Sequence, residues 1–151
     1  MIVMANNKKD RFGKDLKMLV LTDKDGFQVS DLSVSRTGDL GTTFDDETVL
    51  QAIRHRLSTR RGELSELGHP EYGSLLETVI GEPNVEDTHR IIETLVRDCL
   101  QYEPRIENII DIEAIPNSLN HDVVDINVII QLRGRSEPIR AVYPLYLEET
   151  L

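Results

Sequence analysis

Glu103-Pro104-Arg105 sets a carboxylate and a guanidinium on either side of a proline. An arginine held rigidly can grip a carboxylate or several carbonyl groups, because its N–H donors form a planar fork. Proline also disfavours helical geometry at the residue before it. From the residues alone the triplet reads first as a helix stop with charged neighbours, and second as a docking corner. A second stretch carries Thr59, Gly62 and Glu63, then Pro70, Tyr72, Gly73 and Ser74. There a helix ends at a glycine, a short polar loop follows, and a further helix opens. No catalytic template uses that arrangement.

Other chemistries find less support. The chain holds 27 Asp and Glu residues, so some pair of carboxylates will approach by chance. A glycosidase needs two of them facing across a cleft. With no tryptophan, 4 tyrosines and 3 phenylalanines, the chain is short of flat faces to cover a sugar ring. Ser74 follows Gly73, but the context Glu-Tyr-Gly-Ser-Leu is not a nucleophile elbow, and no strand precedes it. His55, His69, His89 and His121 lack the close spacing of metal ligands. The glycines form no phosphate loop. Cys99 is the single cysteine and falls on an apolar helical face, where a free thiol packs as a small hydrophobe. No catalytic residue, cofactor or metal is expected.

The elements that position these residues follow from periodicity. Residues 1–16 read as a flexible basic arm, and 17–151 as one domain. A short apolar run over 17–21 predicts a strand. Asp23-Lys24-Asp25-Gly26 predicts a turn, and 27–34 a returning strand. Val49, Leu50, Ile53 and Leu57 share one face of a helix over 46–60, capped by Asp45 or Asp46. Arg54, Arg56 and Arg60 lie toward its end, where the helix dipole favours cations, and Gly62 is a natural stop. Ser74 and Glu77 match a capping box for a short helix over 74–81. Asn84 caps a third helix over 85–103, with Ile91, Ile92, Leu95, Val96, Cys99 and Leu100 as its apolar stripe. The period then changes to two. Ile110, Ile112 and Ala114, the run from Val124 to Leu132, and the run from Ile139 to Leu147 predict three strands. Turns at 116–118 and 133–136 make an antiparallel meander, with Pro144 forcing an edge position. The fold class is α+β, three helices packed on an antiparallel sheet.

Charge narrows the partners. The chain carries a net −10, which excludes nucleic acid as the main partner because phosphate binding needs a basic patch. Residues 1–17 hold five basic residues against two acidic ones, a net of +3 that leaves −13 on the remainder. A basic arm on an acidic body points to protein contacts. The apolar runs are too short to span a bilayer, and no signal-peptide core opens the sequence. Secretion by a signal peptide is not expected.

Over about residues 38–133 the chain resembles the baseplate wedge or sheath-initiator family of contractile injection machines. That family embraces contractile phage tails, type VI secretion and extracellular injection particles. The resemblance rests on Gly38-Asp39-Leu40, Leu50-Gln51-Ala52-Ile53, Thr59 with Gly62-Glu63, Pro70-Glu71-Tyr72-Gly73-Ser74 with Leu76, Asp87, and Glu103-Pro104-Arg105-Ile106. It implies a structural protein of the virion tail or injection-machine baseplate, assembled in the bacterial cytoplasm. Such a protein joins the wedge scaffold's helical core bundle to the first sheath ring and starts sheath polymerisation. Its fold resembles the interlocking part of a sheath subunit. Sheath protein and wedge scaffold proteins are the implied partners, with tail tube or hub proteins as further neighbours. By this match Glu103, Pro104 and Arg105 contact the core bundle, in preference to a mere helix stop. Some members carry an old lysozyme label, which makes a peptidoglycan-cleaving tail lysozyme the alternative.

Overall fold

The computed structural model describes residues 14–22, 28–32, 34, 38 and 42–148. Residues 1–13 of the expected arm and the expected turn at 23–26 lie outside them. The chain divides into two compact units, 1–51 and 52–151.

In the first unit, β1 (Lys14–Leu16) pairs antiparallel with β4 (Thr42–Phe44), and β2 (Met18–Thr22) with β3 (Gln28–Leu32). Strand β1 thus includes the last residues of the stretch read as an arm. The helix α1 (Asp45–Ser58) begins in this unit. Its buried Gln51 holds the β1–β2 junction. The Gln51 Oε1 accepts from the Met18 amide at 2.8 Å, and its Nε2 donates to the Leu16 carbonyl at 2.6 Å.

The second unit holds the rest of α1, the helix α2 (Glu86–Leu100) and the sheet β5 (Ile106–Pro116), β6 (Val123–Leu132), β7 (Ile139–Tyr146). The three strands form the expected antiparallel meander, in the order β5-β6-β7. One face, with Ile112, Ala114, Ile126, Val128, Ile130 and Ala141, is buried. Helix α2 packs against β5 and contributes Thr88, Ile92, Val96, Cys99 and Leu100 to the core. The Cys99 thiol is fully buried, and that burial pushes its pKa up to about 11. The thiolate is therefore scarce at neutral pH, as a packing role requires.

Four local expectations are corrected. The segment 74–81 is not a third α-helix; it is a 3-10 turn at Leu76–Val79, with a second such turn at Ser65–Leu67. The described residues thus hold two α-helices. The Ser74 capping box does not form, because Leu75 precedes the turn and makes no side-chain cap. Asn84 does not cap α2 either. Val85 occupies that position, and the Asn84 amide donates to the His121 carbonyl at 2.8 Å. The Ser74 hydroxyl donates to the Leu57 carbonyl, and the Asn84 Oδ1 that a cap would use meets the His89 ring instead. Lastly, Ile110 does not share the face of Ile112. The register of β5 on β6 shifts between Ile109 and Asp111, a bulge that leaves Ile110 unpaired and 50% exposed. Ile91 lies at the margin of the α2 stripe and is 51% exposed.

Truncating Ile92, fully buried against this core, removes apolar contact and leaves a cavity. Ile92→Ala is expected to lower unfolding free energy by roughly 2–5 kcal/mol, while Ile91→Ala costs less than about 1 kcal/mol. Urea unfolding of the two variants measures the difference.

Candidate functional site

The site begins where α1 ends. The Thr59 hydroxyl and amide both donate to the His55 carbonyl, at 2.6 and 3.0 Å, and so close the last turn. The helix stops at Ser58, ahead of Gly62, and Gly62 serves the turn that follows with φ +91°. Glu63 seals that turn: its amide donates to the Arg60 carbonyl at 3.0 Å, and its carboxylate accepts from the Arg60 amide at 3.1 Å.

The segment from Pro70 to Ser74 then returns alongside. The Ser74 amide donates to the Thr59 carbonyl at 2.8 Å, and the Arg61 amide donates to the Ser74 carbonyl at 3.0 Å. The Ser74 hydroxyl, fully enclosed, donates to the Leu57 carbonyl at 2.6 Å. It satisfies a carbonyl that the ending helix would leave orphaned. Gly73 sits where the two backbones touch. A Cβ there would lie 2.5 Å from the Thr59 oxygen and 2.9 Å from Arg60 C and Arg61 N, and φ is +109°. Only glycine fits that approach.

Tyr72 is carried by the same loop, and the Arg56 guanidinium stacks on its ring, 4.6 Å from the centroid. Arg56 links this loop to the triplet. Its Nη2 donates to Glu103 Oε2 at 3.3 Å. The other carboxylate oxygen, Oε1, accepts from Arg105 Nε at 2.6 Å and from the Arg105 amide at 3.3 Å. Glu103 is only 3% exposed. Burial works to raise its pKa, but the hydrogen bonds and charge of Arg105, with the charge of Arg56, outweigh it and hold the carboxyl below its ordinary range. Burial likewise raises the Tyr72 hydroxyl, the nearby Arg56 opposing. The Nε atoms of Arg56 and Arg61 are buried without hydrogen-bond partners among the described residues.

Ion pairs brace the periphery. Arg61 Nη1 meets Asp98 Oδ2 at 3.0 Å, tying the loop after α1 to α2, and Arg60 pairs with Glu77. Arg133, in the turn between β6 and β7, donates from Nε to the Pro104 carbonyl at 2.8 Å and from its amide to the Arg105 carbonyl at 3.0 Å.

The two separate sequence signals are therefore one structure. Thr59, Gly62, Glu63, Pro70, Tyr72, Gly73 and Ser74 build a double loop, and Arg56 connects it to Glu103, Pro104 and Arg105. Sequence reasoning missed Arg56 and Arg133 as members. Arg56 follows the buried Ile53 by three residues and precedes the buried Leu57 by one. Helical spacing thus put it beside the core stripe, a signal that was legible. Arg133 had no such signal. Among the described residues no group of histidines, cysteines or carboxylates could hold a metal ion, and no helix is long and apolar enough to cross a membrane.

Residues 20–130 match the family model described as the contractile injection system sheath initiator. The chain belongs to that family. Among solved structures, it resembles a crystal structure of a protein from Geobacter sulfurreducens provisionally named a tail lysozyme. The TM-score is 0.61 at 27% identity, over 70% of this chain and 94% of that one. A comparison with curated proteins gave no significant match. As a sheath initiator the chain is a structural, tail-related component of a contractile injection system.

Three variants test the geometry. Gly73→Ala must open the contact with Thr59 and is expected to cost on the order of 2 kcal/mol or more. Gly81→Ala, at φ +94° with open space around it, should cost only about 1 kcal/mol; thermal melting separates them. Glu103→Gln leaves Arg56 and Arg105 without their shared anion, a loss of roughly 3–5 kcal/mol at neutral pH for a buried pair. The folded pKa of Glu103 lies below its ordinary 4.5. Its contribution is therefore complete above that value and vanishes as pH falls through the folded value. Denaturant titrations of wild type and Glu103→Gln should begin to approach each other below the ordinary 4.5 and converge only once pH has fallen through the lower folded value.

Proposed function

We propose that this chain is a baseplate component joining the helical core bundle of the wedge scaffold to the first ring of the sheath, where it initiates sheath polymerisation. Family membership supports the setting, and the construction of the Glu103-Pro104-Arg105 corner carries the reading. Glu103 is spent internally, clamped between two guanidiniums, so its task is to position Arg105. Pro104 is exposed at the corner, and the Arg105 side chain is 29% exposed. The double loop from Thr59 to Ser74 is the brace behind that corner, with Tyr72 backing Arg56. Such a preformed surface suits docking onto a rigid helical bundle, since little ordering is left to be done on binding. The protein then resides in the baseplate of a virion tail or injection machine and is assembled into it in the cytoplasm.

The sheath-facing side is the three-stranded sheet. Its outer strands are β5 and β7, and unpaired strand edges are templates for an added strand. Each is partly blunted. Pro144 interrupts β7, and on β5 the Glu93 carboxylate accepts from the Ala114 amide at 3.0 Å beside two register shifts. An arm of the sheath subunit adds to one of these edges, and the acidic body favours basic arms.

No feature of the site favours the hydrolytic alternative. A glycosidase general acid needs a raised pKa so that it holds a proton near neutrality. Burial tends to raise that of Glu103, but its two arginines bring it below normal.

Arg105→Ala is expected to leave the isolated protein folded but less stable, because the buried Glu103 loses its stronger partner, and to prevent its incorporation into baseplates. Truncating one side of such a contact costs on the order of 2–5 kcal/mol. Normal incorporation would return the triplet to a helix stop. On the sheath side, hydrogen exchange with and without sheath subunit should show new protection within residues 106–147. Protection confined to the helices would rule out strand addition. Purified protein is expected to leave peptidoglycan uncleaved.

A further inference from the structure

We propose that Arg133 is a working part of the docking corner and presents its guanidinium fork to a carboxylate on the wedge scaffold protein. The inference rests on the reading that the Glu103-Pro104-Arg105 corner docks there, and adds the chemistry of the contact. Arg133 is attached to the triplet twice: its amide donates to the Arg105 carbonyl and its Nε to the Pro104 carbonyl, at 3.0 and 2.8 Å. Those bonds fix the plane and direction of the side chain while the residue remains exposed. Among the described residues no hydrogen bond or ion pair takes its two terminal nitrogens. An arginine oriented through Nε with its forked end open is prepared for the bidentate geometry that carboxylates satisfy.

Local charge points the same way. The single carboxylate of Glu103 is shared by Arg56 and Arg105. With Arg133, held on the Pro104 carbonyl, the corner carries three guanidiniums and a single buried carboxylate, on a chain whose net charge is −10. The acidic residues nearest in sequence, Glu107 and Glu137, are exposed and form no ion pair with Arg133. The corner is thus a small cationic spot on an acidic protein. It is far too small for a polyanion, whose binding needs a basic stripe, and right in scale for one or two acidic side chains. Arg133 also lies three residues beyond the segment that matches the family model, which ends at 130.

The experiment is a titration of the immobilised wedge scaffold complex of the same injection machine with full-length protein. Arg133→Gln keeps a side-chain N–H within reach of the Pro104 carbonyl but removes the charge. It is expected to melt like wild type and to bind on the order of tenfold more weakly or worse, with a flatter salt dependence. Arg133→Glu should bind more weakly still. Arg133→Lys keeps charge and stem without the fork and should bind several-fold more weakly. Wild-type affinity in Arg133→Gln, with Arg105→Ala impaired, would overturn this inference and leave the docking corner standing. Wild-type affinity in Arg133→Lys would overturn the forked carboxylate contact. Wild-type affinity in both Arg133→Gln and Arg105→Ala would overturn the docking reading itself, and this one with it.

Discussion

A buried carboxylate between two arginines organises the corner where α1, α2 and β5 come together. Removing Glu103 from water costs several kcal/mol, and only the opposing charges and hydrogen bonds of Arg56 and Arg105 recover that cost. The requirement is geometric as well as energetic. Arg56 comes from the end of α1, Glu103 from just after α2, and Arg105 from the approach to β5. Each of those elements must therefore end where it does for the cluster to close. The turn before β7 is drawn in as well, since Arg133 bonds the carbonyls of Pro104 and Arg105.

A second constraint is the contact of bare backbone at Gly73. The loop from Pro70 to Ser74 lies against the chain that leaves α1, close enough for Ser74 to bond Thr59 and Arg61 through its backbone and Leu57 through its hydroxyl. That closeness sets Tyr72 beneath Arg56. A side chain at Gly73 would push the ring away and take with it the aromatic support of the guanidinium. The double loop thus acts on the corner through Tyr72 and Arg56.

The sheet makes a contrasting contribution. Its buried face is anchored by α2, and its outer strands carry devices that discourage indiscriminate pairing: a proline in β7, register shifts in β5, and the Glu93 side chain on an edge amide. Open strand edges invite pairing with any other chain, and such devices limit it.

Periodicity and composition alone determined a good deal. The α+β class, the presence and approximate placement of α1 and α2, the meander, the edge position of Pro144 and the burial of Cys99 were all legible, because amphipathic spacing records which face must leave water. The motif residues could also be read, though only as two unconnected stretches. Tertiary structure decided the rest. Ser74 and Asn84 carry local capping signals, yet both donate to carbonyls far away in sequence, those of Leu57 and His121, which only the fold brings within reach. Glu103 looked like a surface charge, and Arg133 like an ordinary solvated arginine. A charged residue is written the same way in a sequence whether it faces solvent or is buried against two opposite charges. Only the meeting of three chain segments tells them apart.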